Sequence, residues 1–507
     1  MQRMPEHRRP KLSDSAAGGG DDRLSSLPDE LLIHMRHDHI LLKLRDAPVA
    51  ARTSLHFPAA TDPDGIRAAL ATHDARALSH LSVDAIEATP DSVAAWLPIA
   101  ARHLSGVLDF RNRRRMDGSS AASPLKLPCF QNATEVVLDL HSIGLTLPPS
   151  GIFTRLTDLE LYDIQLHGPC SLSDVVSSPR CPSLRLLSIY NVKGLDKFTI
   201  HSDSLLELDL YDLPSLQQLN VVAPALQELA VQHCFTSALN ESQPVANISA
   251  PQLVTLHWSS AYVPSSVLCS EMPHLQELTT EYLIVYGQDI FSAHNRNCLM
   301  LLQHFDRISR LILILVYPVK CNNRFFMEEM TKFPNITSLT LAVVAYEHSF
   351  GASLFHVLRM SSGIRELEVK VAMPIKLEQR NGNPALIFFS KYKILLLYGP
   401  MIAQYMIICA YPPCQSGCIC AEPSNWETEE LVLPYLKKVA IVGLRGTEHE
   451  LALVKRLFNW TTMLEGMRVN FHDLITESEG EELRKLLLSF SRPGIRMKFT
   501  SWRSLFI

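Results

Sequence analysis

The chain lacks a strong excess of charge of either sign, an apolar opening segment and any unbroken run long enough to cross a bilayer. Its 507 residues carry Lys+Arg 47 against Asp+Glu 52, a formal charge of -5, so no global basic field exists to hold nucleic acid. Glycine is sparse at 21 and proline numbers 31, while 47% of residues are hydrophobic. This composition excludes a low-complexity or wholly disordered chain. The first twenty residues contain no apolar run, so no secretory signal is expected. The 11 Cys are then expected to be reduced, in a cytoplasmic and/or nuclear setting, serving mostly as small buried residues. The segment ILLLYGPMIAQYMIICA, Ile394 to Ala410, falls short of the roughly 20 residues a spanning helix needs. Gly399-Pro400 also interrupts it, and no membrane contact is expected.

Catalytic signatures are missing as well. There is no phosphate-binding G-x-x-x-x-G-K-[ST], no G-x-S-x-G elbow and no kinase set. His449-Glu450 opens a zinc-protease pair, but Leu453 stands where the second histidine belongs. In CQSGCIC, Cys414, Cys418 and Cys420 have His449 nearby in sequence. A C-x-C spacing is only marginal for zinc, and cysteines serving a turn are the reading preferred. His34, His37 and His39 also cluster, but at helical spacing only the first two share a face. The expectation is a chain that is not an enzyme, with no cofactor and no metal.

What the sequence does have is a repeat. One phrase recurs from about residue 133 to 370: RLTDLEL with Leu156, Leu159, Leu161; SLRLLSI with Leu184, Leu187, Ile189; SLLELDL with Leu205, Leu208, Leu210; ALQELAV with Leu226, Leu229, Val231. QLVTLHW (Leu253, Leu256, Trp258), HLQELTT (Leu275, Leu278), NITSLTL (Ile336, Leu339, Leu341) and GIRELEV (Ile364, Leu367, Val369) continue it. Copies lie roughly 20–30 residues apart, the spacing of a leucine-rich repeat. The last two apolar positions alternate with polar ones, as in a strand with one face buried. The first turns the corner into the core, and Pro182, Pro224, Pro251, Pro273 and Pro334 suit a corner that needs no ladder bond. An extra copy, SLQQLNV (Leu216, Leu219, Val221), falls midway between its neighbours. Two strands per coil, one on each side, account for it.

The fold class expected is α/β: a leucine-rich-repeat solenoid with a small N-terminal helical module and a C-terminal α/β cap. The organisation reads as a disordered tail (1–22), a helical module (23–55), a linker and first part of the solenoid (56–132), the solenoid (133–380), an irregular apolar segment (381–412) and the C-terminal region (413–507). Within 56–132, DGIRAALATHDARALSHLSV reads as helix then strand, and 111–124 as an exposed basic loop. In the C-terminal region YLKKVAI (Leu436, Val439, Ile441) restores the phrase, TEHELALVKRLFNW and EGEELRKLLLSF read as helices, and MRVNF and MKF as strands.

These regions together resemble the plant F-box/FBD/LRR-repeat proteins. DRLSSLPDELLIH followed by ILLKLRDAPVAARTS is similar to an F-box, the helical module that docks on the Skp adaptor of SCF ubiquitin ligases. The stretch from SGCICAEPSNW to LRGTEHELALVKRLF is similar to the FBD region, its Cys-x-Cys, Asn425-Trp426 and Leu444-Arg445-Gly446 being the most specific residues. The resemblance implies a substrate-recognition subunit of an SCF-type cullin-RING E3 ligase, which tethers its target and performs no chemistry. Partners would be a Skp-type adaptor, the cullin complex and an unidentified protein substrate. By matching positions, Leu27, Pro28, Leu31, Leu32, Ile40, Leu44, Val49, Ala50 and Thr53 would face the adaptor. Two departures favour an alternative, an interaction scaffold or decayed duplicate that recruits no ligase. MRHDH (35–39) interrupts the first helix and rotates the residues after it by roughly 140°, and the family's Ser-Arg-Arg-Trp-Arg segment is absent after Thr53-Ser54. On the solenoid, Glu160, Ser188, Asp209, Gln218 and Glu228 are expected to face the target from between the core leucines.

Overall fold

The computed structural model describes residues 53–501 except 60, 74–77, 114–122, 142, 236–244, 288–291, 319–323, 346–347, 373–413, 415–417 and 422–424. The tail, the adaptor-facing residues Leu27 to Ala50, the MRHDH interruption, the histidine cluster at 34–39 and the apolar segment 381–412 lie outside the described residues.

The repeats build a solenoid. A 17-stranded sheet runs through the described chain, every pair in it parallel and each strand beside one of the next three in the chain. The leucine phrase explains the register. Leu55, Leu81, Leu108, Val136, Leu159, Leu187, Leu208, Leu229, Leu256, Leu278, Leu311, Leu339, Leu367, Val439 and Met467 are successive register partners in one column. All are buried. A single coil cannot cover such a side chain, and its neighbours above and below do.

The proline corner is a β-turn. In Ala223-Pro224-Ala225-Leu226 the Leu226 N–H donates to the Ala223 carbonyl at 3.1 Å, and Leu253 to Ala250 and Leu275 to Met272 repeat it at 3.1 Å. Proline presets φ for the second turn position. After each turn, one carbonyl of the preceding coil accepts two successive N–H groups: Leu206 and Glu207 on Arg185 O, at 2.8 and 2.9 Å, then Gln227 and Glu228 on Leu206 O, at 2.8 and 3.0 Å.

The sheet begins earlier than the sequence boundaries suggest. Ser54–Phe57 is already a strand, paired in parallel with Leu78–Ile86, so the boundary expected after residue 55 falls inside the first strand. The sheet also ends later. Lys438–Leu444, Gly466–Phe471 and Arg496–Ser501 extend the same sheet, with Lys437 and Lys438 donating to Arg365 O at 2.9 and 3.1 Å. The C-terminal α/β region therefore caps the solenoid by continuing its sheet. The basic loop expected at 111–124 starts inside a strand, since Arg111, Asn112 and Arg113 close Leu104–Arg113.

The opposite side of each coil changes along the chain. Lys197–His201, Gln218–Val222, Val245–Ser249 and Val267–Cys269 form a second parallel sheet, as the extra SLQQLNV copy implied. Further on, the helices Ser292–His304, Gly351–Met360, Glu448–Trp460 and Glu477–Phe490 link successive strands. The helix Glu448–Trp460 starts on the LRG motif: buried Glu450 accepts the N–H groups of Arg445, Gly446 and Thr447 at 2.9, 2.8 and 3.2 Å. This satisfies main-chain donors that would otherwise be left bare.

Four successive strands, Asp158–Tyr162, Leu186–Tyr190, Glu207–Tyr211 and Glu228–Gln232, each close on a left-handed residue. Asp163, Asn191, Asp212 and His233 have φ of 53, 49, 48 and 51°, and their N–H groups donate to Tyr190, Tyr211, Gln232 and Ser259 O. Asn, Asp and His tolerate this region better than other non-glycine residues, and β-branched residues resist it. Replacing Asn191 by Val should lower stability by about 1–3 kcal/mol, whereas Asn191→Gly should be close to neutral; urea denaturation of the two variants checks it, and equal losses would refute the strain argument.

Candidate protein-binding face

Between the buried column and its twin, every second strand residue points to the open side of the sheet. Register aligns these residues into rows. One row runs Glu135, Asp158, Leu186, Glu207, Glu228, Thr255, Glu277, Arg310, Ser338, Glu366, Lys438. The adjacent row runs from Asp109 through Glu160, Ser188 and Asp209 to Glu368, Ala440, Arg468 and Lys498. Acidic residues therefore dominate the first half of the face, and basic residues join them from Arg310 onward. A groove of about 850 Å³ crosses these rows, lined by Ser188, Glu207, Asp209, Glu228, Glu277, Arg310, Lys438 and Arg468 among others.

Carboxylates crowd the acidic half. Burial, followed by the charges of Asp158, Glu160 and Asp109, pushes the Glu135 carboxyl up to about 7. Burial and then Glu207 and Glu277 raise that of Glu228. Partners offset the crowding only locally: Arg111 donates to Asp109 at 2.9 Å, and Arg310 pairs with Glu277 at 3.1 Å. A third row is aromatic. Tyr162, Tyr190 and Tyr211 stack with ring centroids 4.9 and 5.6 Å apart, and His233 meets Tyr211 edge-on at 5.4 Å. The Tyr162 hydroxyl donates to Glu160 and that of Tyr190 to Asp209, so the ladder orients two of the acidic groups. The ladder was not read from the sequence, although a tyrosine follows the phrase in three consecutive copies.

Of the residues expected to face a target, Glu160, Asp209 and Glu228 lie on this face and are half-buried or exposed. Ser188 lines the groove but is buried at 8% exposure, wedged between Glu160 and Asp209 in the register. Gln218 is a correction: it is exposed on the second sheet, because its phrase belongs to the other side of the coil. Thr53 is exposed, and its carbonyl accepts the N–H groups of Ser79 and His80 at 2.7 and 3.1 Å. It thus repeats the two-donor geometry of the later coils, at the start of the solenoid.

The cysteines of CQSGCIC gather around His348, and not around His449, which is nearer in sequence. Nδ1 of His348 lies 3.2 Å from Cys420 Sγ and 3.5 Å from Cys418 Sγ, and Cys414 and Cys420 Sγ are 3.4 Å apart. His449 instead meets the Phe350 ring edge-on at 5.3 Å.

Comparison with known proteins bears on this fold directly. A family model described as the leucine-rich repeats of FBD-associated F-box protein At5g56370 matches residues 93–272. An F-box/FBD/LRR-repeat protein of Arabidopsis thaliana, At4g03220, is 27% identical over 269 residues, covering 48% of this chain and 53% of that protein. The family resembled is the plant F-box/FBD/LRR-repeat family. The match spans about half the length of that relative. Within the solenoid, the matched repeats carry most of the acidic half and the tyrosine ladder, whereas the cysteine cluster and the basic rows lie beyond residue 272.

The raised Glu135 carboxyl makes stability depend on pH. Folding lifts its pKa from 4.5 to about 7, so between these values the folded chain holds a proton that the unfolded chain has released. The contribution is complete below 4.5 and is lost as pH rises through 7. Glu135→Gln should leave melting at pH 4 unchanged and raise Tm at pH 8; a Tm gain independent of pH would refute the assignment.

Proposed function

We propose that the protein is the substrate-recognition subunit of an SCF-type ubiquitin ligase, with residues 23–55 docking a Skp-type adaptor and the open face of the sheet holding the target protein. The observation that supports a protein target is the graded charge along an uninterrupted groove. A partner lying along it would set a basic stretch against Glu207, Asp209 and Glu228, and an acidic one near Lys438 and Arg468. Opposed charges of this kind set orientation and association rate more than affinity. The protein does no chemistry in this reading; it raises the effective concentration of target at the ligase. Among the described residues no helix is long and apolar enough to cross a membrane, and a cytoplasmic or nuclear site of action suits the ligase.

A second reading, a scaffold that recruits no ligase, has its own support. The sheet begins at Ser54, where the family's last F-box helix would follow Thr53-Ser54, so that helix has no chain from which to form. The test is capture of purified Skp-type adaptor by the full chain, beside a variant lacking 35–39. Capture by the natural chain is the expected result. Loss of capture by a folded natural chain would overturn the ligase reading in favour of the scaffold. Restoration by the deletion would locate the fault in MRHDH. In parallel, a lysine-rich peptide should bind the natural chain and lose at least about tenfold affinity in the double variant Asp209→Lys/Glu228→Lys; equal binding would remove the acidic half from the recognition surface.

A further inference from the structure

By its spacing alone CQSGCIC reads as a turn. The structure places its three thiols, far along the chain, around an imidazole from the preceding coil. Ligand atoms of His348, Cys414, Cys418 and Cys420 all lie within 4.8 Å of one another. His348 is 3% exposed and Cys420 6%, and Cys414 and Cys418 are half-buried. The histidine follows the strand Ser338–Val344 and precedes the helix Gly351–Met360. Its ring lies parallel to that of Tyr317 at 6.2 Å, with an interplanar angle of 17°, which holds the imidazole in place. Cys420 sits in a single helical turn, Ile419–Ala421. Just beyond, Trp426 covers Gly351 so closely that a Cβ there would lie 2.3 Å from the indole ring.

We infer that His348, Cys414, Cys418 and Cys420 form a structural zinc site. Zinc takes thiolate sulfur at about 2.3 Å and imidazole nitrogen at about 2.0–2.1 Å in a tetrahedron, which sets neighbouring donors roughly 3.5–3.8 Å apart. The three separations, 3.2 to 3.5 Å, are close to that figure, so the donors need little adjustment to receive the ion. The chemistry of the set selects the metal. Three thiols and an imidazole favour zinc over calcium or magnesium, which seek oxygen. Four protein donors also fill a tetrahedron and leave no open position for a substrate, the mark of a structural site. On binding, three S–H bonds give way to three Zn–S bonds, and three protons leave to solvent.

The site explains what Leu-rich coils cannot supply. Residues 373–437 separate two strands that are hydrogen-bonded neighbours, Glu366–Ala372 and Lys438–Leu444. The returning end of this excursion carries all three cysteines, and the ion ties it to the coil that carries His348. The inference stands apart from the ligase reading, since neither the adaptor nor a target enters it.

The test is the zinc content of the full chain, purified under reducing conditions and dialysed against metal-free buffer. About one zinc per chain is expected, falling to background in His348→Ala and Cys420→Ser and retained in His449→Ala. Because a variant that loses its site could also lose its fold, the natural chain is titrated with cobalt chloride. Intense visible bands of a tetrahedral ion together with thiolate charge transfer are expected, displaced by zinc chloride. Folded chain that holds neither metal overturns the inference. So does zinc retained in both the His348 and Cys420 variants, or a Cys414–Cys420 disulfide that persists in place of metal binding under reducing conditions.

Discussion

Everything in this molecule depends on one carbonyl per coil accepting two N–H groups from the next. The arrangement at Arg185, Leu206, Gln227, Val254 and Gln276 locks each strand start to the one before it and so fixes the register of the leucine column. A parallel sheet slipped by one residue would turn every leucine outward. With the register held, each coil buries its apolar side against two neighbours, and stability grows by addition of interfaces instead of around one centre. The open face of the sheet is a by-product of the same lock. Residues between the leucines are forced into straight rows, so charges far apart in sequence become a continuous surface.

Those rows hold like charges close together, and the fold tolerates the tension by spreading it. The stacked tyrosines insert hydroxyl donors between Glu160 and Asp209, and Arg111 covers Asp109. At Glu135, crowded by burial and by its acidic neighbours, the carboxyl holds its proton up to about pH 7 instead. The cationic partner proposed for this face would, on binding, relieve repulsion already built into the free protein.

The coils were legible because their signal is local and repeated: Leu205, Leu208 and Leu210 state turn, strand and buried face within six residues. The corner prolines and the extra phrase at Leu216 were equally readable. Gln218 was misplaced although its own phrase pointed to the second sheet, because alternation shows which residues face outward without saying from which side of the coil. The return of the phrase at Leu436, Val439 and Ile441 was readable, but not that Val439 stacks directly beside Leu367 across residues 373–437. His348 escaped for a related reason. No spacing rule connects it to Cys414, Cys418 and Cys420; only the pairing of strands across the excursion brings them together. Long-range neighbours of this sort exist in the register and not in the local sequence.

The placement of that excursion has a consequence for how such chains change. The strands on either side of residues 373–437 are joined by hydrogen bonds that do not depend on the length of the connection. Doubling the connection costs only about 0.6 kcal/mol of closure entropy. The order of the ladder from Leu55 to Met467 is therefore set by register, and the length of chain between two of its members is free to drift while the order is kept.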